Sequence, residues 1–461
     1  MKLFITLAAC LLNLSTLSAA EKPNILFIFA DDFAYDCVGF NGNSEVKTPN
    51  LDRLAKRSTR FTHAYNPGGW HGAICMASRA MLMSGKQLWP AQKLNHKEML
   101  QQREFFPQRM QDQGYQTFYT GKWHVGKDSV CQSAWVNARN IRPGMPKPVN
   151  QDQYNRTFKE GDDTWSPTDK SQGGFWKGGT HWSEVIPQDS AEFFKQVKDK
   201  ENPFCMMLAF NAPHDPRQSP QEFLDLYDVD KIKVPENFVP TYPWNFGDRK
   251  VRDERLAPFP RTERSIQVNR LEYYALISHT DAQVGKILDQ LDASGKADNT
   301  IIIFTADHGL ACGHHGLLGK QNQHDPSIRV PFIIAGPGIP EGISISKPIY
   351  LQDAMATCLD IAGSEVETDF QSILPLIKDP EIKPRPYITN AYRKHQRMII
   401  KDGYKLILYP QVDVTLLYNM EEDPLEMNNL AEDPAQAEKI KTLRGLLIAD
   451  MKQAGDPLQL D

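Results

Sequence analysis

Four short stretches of the chain are apolar without alternation, the pattern of strands buried on both faces in a parallel sheet. Residues 24–30 run into Asp31-Asp32, and residues 204–210 into Asn211-Ala212-Pro213-His214. Residues 301–306 run into Asp307-His308-Gly309, and residues 330–335 close on Gly336-Pro337-Gly338. A further strand-like segment, residues 115–120, leads into Gly121-Lys122-Trp123-His124-Val125-Gly126. Helical periodicity lies between them, as in residues 271–291, and Thr48-Pro49 reads as an N-cap followed by proline at the first helical position. Strands alternating with helices predict an α/β fold: a large, mostly parallel sheet sandwiched by helices. Residues 139–180 and 229–265, rich in Gly, Pro and polar residues, read as long functional or mobile loops. Near residue 372 the pattern changes to short strands at 398–400, 404–409 and 415–418, then a helix over 434–454. These predict a smaller antiparallel sheet with one helix. The expected division is a leader at 1–20, a catalytic domain at 21–372 and a C-terminal subdomain at 373–461.

Composition narrows the class. The chain has 461 residues, of which 41% are hydrophobic, enough for a real core in one large or two unequal domains. The net charge of -5, with no long basic block, argues against nucleic acid as a partner. Residues 3–17 are mostly apolar after Lys2 and precede Ser18-Ala19-Ala20, the layout of a secretory signal peptide cleaved after Ala20. The alternative is lipoprotein anchoring at Cys10, since Leu7-Ala8-Ala9-Cys10 has a lipobox form. No other stretch reaches the ~18–20 apolar residues of a membrane span. The expected location is therefore periplasmic or secreted. The six cysteines beyond the leader, Cys37, Cys75, Cys131, Cys205, Cys312 and Cys358, are too scattered to assign pairings.

The chemistry concentrates at strand ends and at one helix start. Asp31, Asp32, Asp307 and His308 make a hard, mostly oxygen donor set that suits Ca²⁺ better than Zn²⁺. Cys75-Met76-Ala77-Ser78-Arg79 precedes a helical run, which puts Cys75 among free N–H groups at the positive end of a helix, with Arg79 on the same face. Lys122 and His124 alternate along an extended segment, so both side chains are expected to point the same way.

The ordered set resembles the type I, formylglycine-dependent sulfatases of the alkaline phosphatase superfamily, and in particular bacterial polysaccharide sulfatases. It comprises the 24–32 strand, the Thr48-Pro49-Asn50-Leu51 helix start, Cys75 to Arg79, Gly-Lys-Trp-His, Ala212-Pro213-His214, Asp307-His308-Gly309, Gly319-Lys320, Arg329-Val330-Pro331 and the Leu417 to Leu430 tail. Proline is usual at the third signature position; Ala77 stands here, a variant known in bacterial relatives. The resemblance implies conversion of Cys75 to 3-oxoalanine (formylglycine) by a formylglycine-generating or anaerobic sulfatase-maturating enzyme. One hydroxyl of the hydrated aldehyde would attack sulfur, and the second would help to eliminate sulfate. It further implies one Ca²⁺ per chain on Asp31, Asp32, Asp307, His308 and residue 75. Arg79 and His124 would position residue 75. Lys122, His214 and Lys320 would bind sulfate, with His214 as general acid. His315 and Arg217 are further candidates for substrate contact, as are Asp215, His324, His181 and Trp182; His314 reads as solvated and Arg329 as a brace. The implied substrate is a sulfated carbohydrate, for example an algal ulvan-type glycan. The alternatives are a phosphodiesterase or phosphonate hydrolase of the same superfamily, and a non-catalytic sulfated-glycan-binding relative.

Overall fold

The structure is a computed structural model describing residues 22–147, 151–159 and 163–460. The predicted leader at 1–20 and Cys10 lie outside the described residues. Eight strands form the main sheet in the order Ile343–Ile345, Thr59–Phe61, Phe332–Ala335, Thr300–Ala306, Asn24–Asp31, Phe204–Pro213, Gln116–Lys122 and Asn137–Arg142. All neighbours pair in parallel except Phe332–Ala335, which runs against both of its own. The central strands are buried on both faces, which is why their sequences are continuously apolar. Four adjacent parallel strands thus end along one edge, where open α/β sheets place their sites. That edge carries Asp31, His214, Lys122 and Asp307.

Several elements depart from the local pattern. The run over 330–335 is cut by Pro331, which has no N–H for the ladder. Arg329–Val330 therefore pairs with Ala64–Tyr65 in a small separate sheet. Asn137–Arg142, read partly as loop, is the edge strand of the main sheet; it is only half-buried, so its polar sequence carries no apolar signal. Thr48 occupies the N-cap position, but its hydroxyl donates to Asp52 and accepts from Gly39. The free N–H groups of that helix go instead to Asp281, 3.1 Å from Asn50 N and 2.7 Å from Leu51 N. Asp281 belongs to the long helix Glu263–Ala293, which opens with a capping box between Thr262 and Ser265.

The C-terminal sheet has the order Val414–Asn419, Tyr404–Tyr409, Gln396–Lys401, Ile388–Tyr392 and Gly68–Gly69. Its first four strands are antiparallel. The fifth comes from the segment before Cys75 and pairs in parallel, tying this sheet to the part of the chain that carries Cys75. Helix Ala437–Ala454 covers the sheet through Leu443, Leu447 and Met451. Among the described residues all six cysteines are buried and unpaired, and no helix is long and apolar enough to cross a membrane.

A buried ionic cluster joins the two parts. Lys405 Nζ donates to Glu426 Oε1 at 2.7 Å and to Asp325, while Glu426 Oε2 lies 3.1 Å from His324 Nδ1 and 3.0 Å from Asp325 N. Burial would raise the Glu426 pKa, but Lys405 and His324 outweigh it and hold the group well below the usual carboxylate range. Lys405→Met should remove the cation shared by two buried carboxylates, leaving Asp325 with Arg329 and Glu426 with His324, and destabilise the chain by about 3–5 kcal/mol, read from the urea midpoint. The Glu426 contribution is present above its unfolded pKa of about 4.3 and lost as pH falls below it toward the folded value. The difference between wild type and variant should accordingly shrink in acid. A midpoint unchanged at neutral pH would remove the cluster from the stability of the fold.

Candidate active site

Register fixes the centre. Ala30 lies opposite Ala306, so the residues that follow, Asp31 and Asp307, emerge side by side. Asp32 sits at φ 63°, which turns the chain out of the strand, and its N–H donates to Asp307 Oδ1 at 3.2 Å. Its carbonyl accepts from the Tyr273 hydroxyl at 2.5 Å. His308 Nδ1 lies 2.8 Å from its neighbour's carbonyl, Gly309 O. That bond directs Nε2 to the carboxylates, 2.9 Å from Asp32 Oδ1 in an alignment too oblique for a hydrogen bond. Donor atoms of Asp31, Cys75, Asp307 and His308 all lie within 4.8 Å of one another, as do those of Asp31, Asp32 and His214. All of these residues are buried, and Asp31 Oδ1 has no hydrogen-bond partner. Burial and the Asp307 carboxylate raise the Asp31 pKa against the pull of Lys122. Crowded buried carboxylates with an orphaned oxygen fit a divalent cation.

Cys75 is the second residue of helix Ile74–Ser84. Lys122 Nζ and His124 Nδ1 each lie 3.4 Å from its Sγ. Burial pushes the thiol up, but Lys122, His124 and Lys320 outweigh it and hold the thiol well below its ordinary value. Lys122 is fully buried and ion-paired with Asp31. His124 reaches the same point by a turn and not by strand alternation, because the strand ends at Lys122 and His124 has φ 57°. Two glycines permit this. Gly121 has φ 102°, and a Cβ there would run into the Ala209 carbonyl; a Cβ on Gly144 would come within 2.5 Å of the His124 ring. Arg79, expected to position residue 75, donates to Asp307 Oδ2 at 2.8 Å and to the Lys122 carbonyl at 2.6 Å. It therefore braces two of the groups around Cys75.

Lys320 and His214 close the other side. Lys320 Nζ lies 2.8 and 2.7 Å from the Asp32 oxygens and 3.7 Å from Asp253. His214 Nε2 is 3.7 Å from Asp32, and its Nδ1 is hydrogen-bonded to the Asp215 backbone carbonyl at 2.7 Å with Asp215 Oδ1 at 2.8 Å. Asp215, one of the sugar-contact candidates, is buried and also accepts from Tyr154 and Arg252. Arg252 Nη2 sits 2.9 Å from His214 Nε2 and, being a donor only, makes that nitrogen the acceptor. Proton donation from Nε2 requires Arg252, whose side chain is 34% exposed and bonded to Asp215 and Asp253, to give way to substrate. Arg252, Asp253 and Tyr154 were not singled out by their sequence. The signal was that Tyr154 falls in the long loop at 139–180 and Arg252 and Asp253 in the one at 229–265.

Other candidates are held elsewhere. Arg217 is buried, donates from Nη1 to the Asn269 carbonyl and side chain, and faces the Tyr273 ring. His315 stacks on His324 at 3.8 Å between ring centres. His315, His324 and Glu426 have metal-like spacing, but Lys405, His324 and Asp325 N occupy the Glu426 oxygens. His314, read as solvated, is buried between Asn237 and Asp36. His181 is the N-cap of helix Trp182–Val197, and both His181 and Trp182 are buried. Arg329 braces Asp325 and the Thr62 carbonyl, as expected.

A family model described as Sulfatase matches residues 23–364, and a second, N-sulphoglucosamine sulphohydrolase, C-terminal, matches residues 313–453. The chain is 29% identical to a choline-sulfatase of Rhizobium meliloti, covering 90% of this chain and 83% of that protein. It is 27% identical to an ulvan-active sulfatase of Formosa agariphila, covering 97% and 84%. A structure solved in complex with its substrate D-glucosamine-2-N,6-O-disulfate superposes with a TM-score of 0.71 at 24% identity, covering 95% of this chain and 99% of the other.

Proposed function

The chain belongs to the sulfatase family, and from that premise we propose that it is an exported, formylglycine-dependent hydrolase of sulfate esters on polysaccharides or oligosaccharides. The observation that carries the mechanism is the placement of Cys75, with Lys122 and His124 each 3.4 Å from Sγ and Asp31, Asp307 and His308 beside it. Residue 75, as formylglycine, supplies a hydrated aldehyde as nucleophile. Asp31, Asp32, Asp307, His308 and residue 75 would hold one Ca²⁺, which when bound supplies positive charge for the nucleophile and the sulfate oxygens.

The other residues divide the remaining work. Arg79 fixes Asp307 and the Lys122 carbonyl, so it keeps the cavity's shape. His124 holds residue 75. Lys122 and Lys320 turn ammonium groups toward the place where sulfate oxygens gather, and their buried setting makes that attraction stronger than it would be in water. His214, with Nδ1 tied to Asp215, presents Nε2 to the departing alcohol oxygen once Arg252 has moved aside. The substrate reading rests on relatives: an ulvan-active sulfatase and a protein whose substrate is a sulfated glucosamine both align over nearly all of this chain.

The test is sulfate release by purified enzyme from 4-nitrophenyl sulfate and from sulfated oligosaccharides, ulvan fragments included. Chelation should abolish activity and Ca²⁺ restore it, with one Ca²⁺ per chain by elemental analysis. Asp307→Ala should lose metal and rate together. Faster cleavage of a phosphodiester or phosphonate monoester than of any sulfate ester would replace this reading by the phosphonate-hydrolase one. Metal-free enzyme at full rate would remove the cation.

A further inference from the structure

Beside the reacting centre lies an open groove of about 680 Å³, lined by His71, Gly72, residues 245 and 247–251, and Arg393. It shares its walls with the active site. The Gly72 carbonyl accepts from Gln321 Nε2 at 2.9 Å, next to Lys320, and His71 stands three residues before the helix that carries Cys75. On the other wall Val251 leads directly into Arg252, whose guanidinium touches His214. The groove thus adjoins, through His71 and Val251, the helix that carries Cys75 and the segment that carries Arg252.

The groove's charge does not match its surroundings. The chain as a whole is net -5, yet three exposed cations, Arg249, Lys250 and Arg393, line this groove beside a single acid, Asp248. Asp248 is engaged by Arg393 at 3.1 Å and by the Tyr392 hydroxyl. Arg249 has no acidic partner among the described residues; its Nη2 donates to the carbonyls of Tyr242 and Trp244 at 2.6 and 3.1 Å, which orders the guanidinium. Lys250 has no hydrogen bond or ion pair among the described residues. The cations of the catalytic centre differ, because Lys122, Lys320 and Arg79 are each paired with a buried carboxylate. On the sulfatase reading a monosulfated substrate would engage Lys122 and Lys320 and leave the cations of the groove unused. Arg249 and Lys250, two positive charges in a concave surface, focus a field toward a second anion.

We propose that the groove is a second anion subsite, which takes a carboxylate or sulfate carried by the sugar next to the one being desulfated. The proposal rests on the sulfatase reading and narrows its substrate to oligosaccharides with at least two negative charges. Lys250 supplies a mobile ammonium and Arg249 an ordered guanidinium, so both carboxylate and sulfate geometries are met.

The experiment compares three matched disaccharides, each sulfated on the terminal sugar, whose neighbouring sugar is neutral, a uronate or sulfated. For wild type, kcat/KM on each charged-neighbour substrate should exceed that on the neutral one by roughly 10-fold or more, the value of one charged hydrogen bond, and the difference should sit in KM. In Lys250→Glu that ratio should fall to about one or below, and raised ionic strength should do the same to wild type. Calorimetric titration of the Cys75→Ala protein with the same disaccharides, with and without Lys250→Glu, reads the subsite without turnover. Equal affinities across the three disaccharides, or a preference that survives Lys250→Glu, would overturn the subsite. Hydrolysis of 4-nitrophenyl sulfate by wild type separates that outcome from failure of the sulfatase reading, since an intact sulfatase lacking the subsite still cleaves it. A larger effect with the sulfated neighbour than with the uronate would identify the second anion as sulfate.

Discussion

Cys75→Ala should lower sulfate-ester hydrolysis by roughly 10⁵-fold or more, the scale seen when an enzyme loses its nucleophile while its binding groups remain. The protein should still fold. The side chain lost is small, alanine suits the first turn of helix Ile74–Ser84, and Lys122 and Lys320 keep their partners Asp31 and Asp32. A stability change of about 1–2 kcal/mol is expected. Mass spectrometry of the wild-type peptide containing residue 75 should show the thiol-bearing carbon replaced by an aldehyde. Full activity in protein whose residue 75 is unmodified cysteine would refute the assignment, as would an active Cys75→Ala enzyme.

The second large effect is selective. A general acid typically contributes roughly 10²–10⁴-fold, and its loss is felt most by poor leaving groups. His214→Ala should slow hydrolysis of a sulfated sugar by that range and slow 4-nitrophenyl sulfate far less, because nitrophenolate departs without a proton. Asp215→Asn should show only a weak form of that bias, since the Asp215 backbone carbonyl, 2.7 Å from His214 Nδ1, still fixes the tautomer and only the carboxylate charge at 2.8 Å is lost. His124→Ala and Arg79→Ala should show no such bias, as their contacts are with residue 75, Asp307 and Lys122. Equal losses on both substrates in His214→Ala would make His214 a binding residue, with His124 and Lys320 the next candidates for the acid.

Metal-like and nucleophile-like groups were legible because each sits at the end of a strongly patterned element. Apolar runs too short for helices announced the central strands; Asp31 and Asp307 directly follow two of these runs, and His214 lies four residues beyond a third. Asp31, Asp307, His214 and Lys122 come together because their strands are neighbours, and Cys75 joins them from a helix start that sequence also marked. Lys122 and His124 were grouped for a partly mistaken reason: the turn at His124 and the contact with Gly144 bring them together, and strand alternation does not.

What the sequence by itself determined is the class of fold, the order of its strands and helices, and the donor groups at their ends. These follow from backbone periodicity and from side chains a few residues apart. Only the tertiary structure decided the rest. Asp281 caps a helix 230 residues earlier, two glycines in the segment before Cys75 extend the C-terminal sheet, and Lys405 meets Asp325 across 80 residues. Arg252 faces His214 across 38 residues, and Tyr154 reaches Asp215 across 61. His314 and Arg217, polar by type, are buried because the fold supplies partners for them. The physical reason is common to all: an ion pair or cap is set by distance in space, loop closure makes large sequence separations inexpensive once the core has formed, and no periodicity marks which polar residue will meet which.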